Sequence, residues 1–176
     1  QMAFQAALRL GDLWASTVWR GFMTVAIVWF RKDLRLADQP ALARALSGSQ
    51  QLVPIYINDT AADNPWAMGS ASRWWLHQSL TALDDALQDL GSRLIIRRGR
   101  PLEVLREVMA DSGATQIYWN RLYTPYEMAR DRVIKATLTA EGYEVHTFNS
   151  SLLYEPWEIA RPQGGPYKVF TPFWKA

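Results

Sequence analysis

The chain has 176 residues, a formal net charge of +2, 49% apolar residues and no cysteine. That length suits one domain, or one domain with an appendage, and the apolar share is enough for a full core. Disulfides and cysteine-ligated metals are excluded, and interspersed acids and bases argue against a dedicated nucleic-acid stripe.

Residues 1–22 differ from the rest. Leu8, Leu10, Leu13 and Trp14 form an amphipathic pattern, but Arg9, Asp12 and Arg20 interrupt it. The continuous apolar run of a signal peptide or membrane span is absent there. The stretch reads as an N-terminal extension ahead of Met23, and no membrane association is expected.

Thr24 to Phe30 is apolar and rich in β-branched residues, without alternation, so it reads as a strand buried on both faces. It breaks into Arg31-Lys32-Asp33-Leu34-Arg35, four charges in five residues. Unpaired buried charge is costly, so the chain must surface at Arg31. From there the pattern alternates. A helix is predicted over 39–46, with Pro40 in its first turn and Gly48 at its end. A strand follows over 52–57, then a loop to Gly69. A long helix over 71–90 carries the stripe Leu76, Leu80, Leu83, Leu87, Leu90 and stops at Gly91. A strand over 93–97 precedes a helix opened by Pro101, with Leu102, Leu105 and Met109 on its buried face and Gly113 at its end. A strand over 115–119, a helix from Pro125 to about Ala140, Gly142 and a strand over 143–148 complete the series.

Four times a helix stops at a glycine and an apolar strand begins within a few residues. Glycine tolerates the left-handed conformation of a helix C-terminus, and the cadence is that of βαβ units. It predicts an α/β domain over 23–148: a doubly wound, Rossmann-like, five-stranded parallel sheet with helices on both faces, in three layers. After Phe148 the period vanishes. Residues 149–176 read as an extended aromatic- and proline-rich segment, too apolar for a free tail, that covers a surface here or on a following domain.

No phosphate-binding glycine loop follows the first strand, which argues against a Rossmann dehydrogenase or a P-loop hydrolase. His77 and His146 lack supporting motifs for a metal site or a catalytic triad. Asp84, Asp85 and Asp89 read as the wet face of the long helix. Ligands of open parallel sheets bind beyond the carboxyl ends of the strands, where the strand order reverses. That edge receives the loops 31–35, 58–59 and 120–127. Phe30, Tyr56 and Tyr126 bring aromatic surface, and Arg31, Lys32, Asp59, Asn120 and Glu127 bring polar groups, a set suited to a planar ring system. Asp33 and Arg35 read instead as structural charges that pair with each other or with a neighbouring domain. Nine tryptophans serve equally as core or as stacking surface.

The stretch Val28-Trp29-Phe30-Arg31-Lys32-Asp33-Leu34-Arg35-Leu36-Ala37-Asp38 closely resembles the N-terminal signature of the DNA photolyase and cryptochrome family. So do Gly69 to Leu80, Trp119-Asn120-Arg121 with Ala129-Arg130-Asp131, Leu152-Leu153, and Tyr167 to Lys175, in order and at matching spacing. The resemblance covers 23–176. It implies the family's N-terminal α/β domain, which holds an antenna chromophore and precedes an all-helical FAD domain. Photolyases use reduced FAD and light to repair UV-induced pyrimidine dimers, a carbon–carbon lyase reaction. The partners implied are the helical FAD domain and, only through it, damaged DNA. The chain alone is expected not to repair DNA, and a cytoplasmic location is expected. For the antenna, Glu127 matches the glutamate of folate-binding members, while Tyr126 replaces their asparagine. Leu122 and Thr124 stand where deazaflavin-binding members carry acids. The pattern leans to methenyltetrahydrofolate, with deazaflavin, FMN or an empty site as alternatives. A cryptochrome light receptor, or a stand-alone nucleotide- or pigment-binding module, remains the alternative function.

Overall fold

A computed structural model describes residues 24–60 and 68–175; the extension read over 1–22 lies outside them. The elements are β1 (Val25–Phe30), α1 (Pro40–Gly48), β2 (Gln51–Asp59), α2 (Ser70–Gln88), β3 (Ile95–Gly99), α3 (Pro101–Ser112), β4 (Gln116–Asn120), α4 (Pro125–Ala140), β5 (Glu144–Phe148) and α5 (Phe170–Trp174). The five strands form one sheet in the order β3-β2-β1-β4-β5. Every pairing is parallel; Ile27 of β1 sits opposite Val53 on one side and Ile117 on the other.

Side chains alternate across a strand, and β1 divides its residues between two cores. Ala26, Val28 and Phe30 pack under α1 and α2 with Leu83, Leu87 and Tyr118. Ile27 and Trp29 pack under α3 and α4 with Leu105, Met109, Ile134, Leu138 and Trp119. This is why β1 reads as a continuous apolar run. The chain builds outward from β1 to β3, then returns to place β4 beside β1. Reversing the direction of strand addition moves right-handed crossovers to the opposite face. The result is the predicted three-layer, doubly wound sheet, with its reversal point between β1 and β4.

Three of the four helix-ending glycines take the expected left-handed conformation: Gly91 at φ 78°, Gly113 at 69° and Gly142 at 89°. Gly48 does not. It is the last residue of α1, and the chain leaves through an extended Ser49. The third strand lies two residues later than predicted, because Leu94 serves the α2-side core ahead of it. Asp84 is also more than wet surface. Its carboxylate accepts from the Leu94 backbone N–H at 2.7 Å, tying α2 to the start of β3. Within the aromatic segment a five-residue helix, α5, replaces the predicted extended chain.

Candidate functional site

The last residue of β4 is an amide, Asn120, buried to 1% exposure at the reversal point. Its Nδ2 donates to Asp33 Oδ2 (2.5 Å) and to Gln39 Oε1 (2.6 Å). Its Oδ1 accepts from the Ala41 N–H at the start of α1 (3.2 Å). Gln39, the residue that caps α1, donates to the same Asp33 oxygen, whose partner oxygen takes the Arg31 backbone N–H. A buried amide repays its desolvation only when its hydrogen bonds are made. Asn120 makes them by tying the β1 loop, α1 and β4 together. On the α1 side the crevice is thus filled by the protein's own polar groups. Asp33 spends its side chain here, not on Arg35. The Arg35 guanidinium instead reaches the Asp38 carbonyl and the Ser150 carbonyl.

The α4 side is built differently. Arg31 and Arg130 alternate with Asp131 and Asp59. Arg31 Nη1 pairs with Asp131, Arg130 bridges Asp131 (2.8 Å) and Asp59 (3.1 Å), and all four side chains are at most 17% exposed. Both guanidinium groups lie over Trp29, at 4.9 Å and 5.4 Å from its ring centroid, and Trp119 meets Trp29 edge-on at 5.6 Å. Burial pulls the Arg31 guanidinium below its ordinary value, and Asp131 offsets part of that. Burial also disfavours the Arg130 charge, but its two carboxylates outweigh it and its value rises. Nε and Nη2 of Arg31 and Nε1 of Trp29 are buried without a hydrogen-bond partner among the described residues.

Above this network, Lys32 pairs with Glu127 at 2.7 Å; the lysine is 61% exposed and the glutamate 12%. Thr124 caps α4 and donates its hydroxyl to Glu127 at 2.8 Å. Tyr126 lies under the Arg130 guanidinium, 5.9 Å from ring centroid to charge. Of the residues predicted for the crevice, Arg31, Lys32, Asp59, Tyr126 and Glu127 therefore come together on one side of the sheet edge. Phe30 and Tyr56 do not join them. Both are buried in the opposite core, where burial and then Asp59 raise the Tyr56 phenol. Asn120 is consumed by the α1 lock.

Residues 26–176 match the pattern of the family described as DNA photolyase. The chain belongs to the DNA photolyase family. Cryptochrome-1 of Arabidopsis thaliana is 41% identical over 151 residues, which is 85% of this chain and 22% of the cryptochrome. A class III photolyase structure from Agrobacterium tumefaciens matches with a TM-score of 0.81 and 40% identity, across 91% of this chain and 33% of that one. An archaeal photolyase from Sulfolobus tokodaii, solved with two FAD molecules, matches with a TM-score of 0.73 and 30% identity, across 86% and 34%. The chain thus spans about a third of the length of these photolyases.

Arg130 and Asp131 were not predicted as site residues, although they sit in a stretch that carries the photolyase resemblance. A signal existed. Ile134 and Leu138 are the buried residues of α4, and steps of three and four back from them reach Asp131, Arg130 and Glu127. Charges at core-facing helical positions call for buried partners.

Glu127 carries a shifted carboxyl at this edge. Burial pushes its carboxyl up, but the Lys32 and Thr124 hydrogen bonds and the Lys32 and Arg130 charges hold it below its ordinary 4.5. A carboxyl with a depressed folded pKa stabilises the fold fully above its unfolded pKa and loses that contribution as pH falls through the folded one. Glu127→Gln should therefore flatten part of the stability loss below pH 4.5, read as melting temperature against pH for both proteins. Parallel curves for the two would show that Lys32 and Thr124 do not hold this carboxylate in its charged form.

Proposed function

We propose that this chain is the antenna-chromophore-binding N-terminal part of a deoxyribodipyrimidine photolyase. Repair of UV-induced pyrimidine dimers would take place in a helical FAD domain with which it is joined. The family match over 26–176 carries this reading. The aromatic segment adds support: Leu153, Tyr154, Phe170 and Trp174 are 60–95% exposed, apolar surface of the kind an adjoining domain covers. Among the described residues no helix is long and apolar enough to cross a membrane, and a cytoplasmic location belongs to the proposal.

For the antenna we favour methenyltetrahydrofolate, held at the Lys32–Glu127 edge. A pterin ring presents N–H donors along one edge, and the charged Glu127 carboxylate is an acceptor for them. Lys32 is exposed enough to release Glu127, and Tyr126 offers an aromatic wall beside it. The pigment's chemistry would be to absorb near-UV light and pass the excitation to the flavin. The chain's part is to orient the ring and exclude water from one face. In the longer protein, Glu127→Ala should remove a near-UV absorption band without loss of FAD. A band that persists in that variant would rule out the role of Glu127, and a flavin spectrum in its place would favour FMN or FAD as antenna.

The 41% identity to a cryptochrome supports a second reading, a light receptor without repair activity. Blue-light repair of a dimer-containing oligonucleotide by the longer protein separates the two. Repair supports the photolyase, and its absence in a FAD-loaded, light-responsive protein supports the receptor.

A further inference from the structure

β3 is an edge strand. It pairs with β2 alone, and its other side is open among the described residues. It lies in a stretch unlike the rest of the chain. Between Asp89 and Glu103 there are four arginines, Arg93, Arg97, Arg98 and Arg100, and no acid. A stretch of +4 in a chain of +2 leaves −2 for everything else. Acids and bases are interspersed over the sequence as a whole, but the fold lays this acid-free stretch along one side of the sheet.

All four arginines are exposed, and none forms an ion pair among the described residues. Asp84, at the start of the strand, is spent on Gln88 and the Leu94 N–H. Arg97 Nη1 donates to the Ile96 carbonyl at 3.3 Å, which holds that guanidinium against the strand. Side chains alternate, so Arg97 falls on the face of Ile95, toward α3 and α4, and Arg98 on the face of Leu94, toward α1 and α2. Ile96, on the second face, is 51% exposed, so no helix closes over this end of the strand. The two guanidinium groups thus flank the open edge from both sides. At about 3.3 Å per residue, positions 93 to 100 span about 23 Å at most.

Charge on an edge strand commonly serves to keep other chains from pairing with it. One or two charges suffice for that, and four with no counter-acid exceed it. A protein partner would call for an apolar or aromatic anchor at the centre of its footprint, and Ile96 is the one apolar side chain exposed on the strand. A line of cations without a pocket matches a linear polyanion. Guanidinium forks meet phosphate oxygens two at a time, and the unpaired backbone N–H groups of an edge strand add donors that phosphate accepts.

From this juxtaposition we infer that the open edge of β3 binds the phosphate backbone of nucleic acid, without regard to base sequence, through Arg93, Arg97, Arg98 and Arg100. This departs from the expectation that DNA meets the protein only through a helical domain. The surface does not depend on the antenna reading, and its failure would leave that reading intact.

The test is fluorescence anisotropy of a labelled, undamaged DNA duplex titrated with the 176-residue chain over a series of KCl concentrations. Affinity should fall with salt at a log–log slope of about −3.6, four phosphate contacts at about −0.9 each. Arg97→Gln with Arg98→Gln should make the slope shallower by about 1.8 and weaken binding more than about tenfold at low salt, at unchanged melting temperature. Arg44→Gln with Arg132→Gln removes the same charge from two helices and should leave the slope as it is. No binding at low salt would overturn the inference and leave the arginines as guards of the edge. So would equal effects of the two double variants, which would mean attraction to net charge alone. Displacement of the duplex by poly-glutamate at equal charge concentration would also overturn it, in favour of an acidic protein partner.

Discussion

Asp131→Ala is expected to cost about 3–5 kcal/mol of folding stability, the range for removing one partner of a buried ion pair. The carboxylate touches two guanidinium groups and is itself 12% exposed. Without it, Arg130 keeps Asp59, but the Arg31 guanidinium keeps no hydrogen bond or ion pair among the described residues. Nη1 of Arg31 has only Asp131, and its Nε and Nη2 have no partner already. A cation that is 6% exposed would then be balanced by the Trp29 face and the charge of Asp33, the first worth about 2 kcal/mol when desolvated. Against a typical total of 5–15 kcal/mol the loss is large. It should appear as a fall in the urea midpoint at constant m-value. Arg31→Met together with Asp131→Leu should recover most of it, since apolar replacement of both partners of a buried pair is often near neutral. A single variant that loses less than about 1 kcal/mol, or a double variant no better than the single, would show that Arg31 does not depend on Asp131.

Such a network marks the limit of what one-dimensional reading gives. β1 and the helix–glycine–strand cadence are local patterns: burial on both faces removes alternation, and a left-handed cap selects glycine at Gly91, Gly113 and Gly142. The doubly wound arrangement followed because few topologies satisfy handed crossovers. Arg31 and Asp131 lie 100 residues apart, and no local pattern pairs a loop arginine with a helix aspartate. Their type alone suggested ligand binding for one and nothing for the other. Phe30 and Tyr56 were drawn to the crevice by proximity to the sheet edge, but strand alternation sends both to the α1–α2 layer. Applying that alternation from Trp29 onward would have separated them. α5 is too short for a helical period to show. Asp33 and Arg35 were read as structural charges, paired with each other or with a neighbouring domain, because they are opposite charges two residues apart. Their side chains diverge, one into the lock and one along the surface.

The lock itself gives the other large effect, and it bears on whether the crevice exists in its present shape. Asn120→Asp keeps the size of the side chain and replaces its two N–H donors by an oxygen. That oxygen would face Asp33 Oδ2 and Gln39 Oε1, both acceptors now 2.5 Å and 2.6 Å from Nδ2. At neutral pH two carboxylates would share a site that is 1% exposed at position 120. Desolvation and like charge both raise the folded pKa of the new group. A carboxyl with a raised folded pKa destabilises the fold at pH above its unfolded value, about 3.9, and this penalty fades as pH falls toward that value. The expected loss at pH 7 is about 3 kcal/mol or more, from an uncompensated buried charge and the lost bond to Gln39, whose Oε1 keeps the Ala41 and Leu42 N–H groups. Asn120→Ala, which removes the bonds without adding charge, should cost about 1–3 kcal/mol independent of pH. Urea unfolding of both variants at pH 7 and pH 5 separates the terms. A gap between them that narrows on acidification identifies a buried charge at position 120. Equal costs at both pH values would mean that the new carboxylate is not held in the lock.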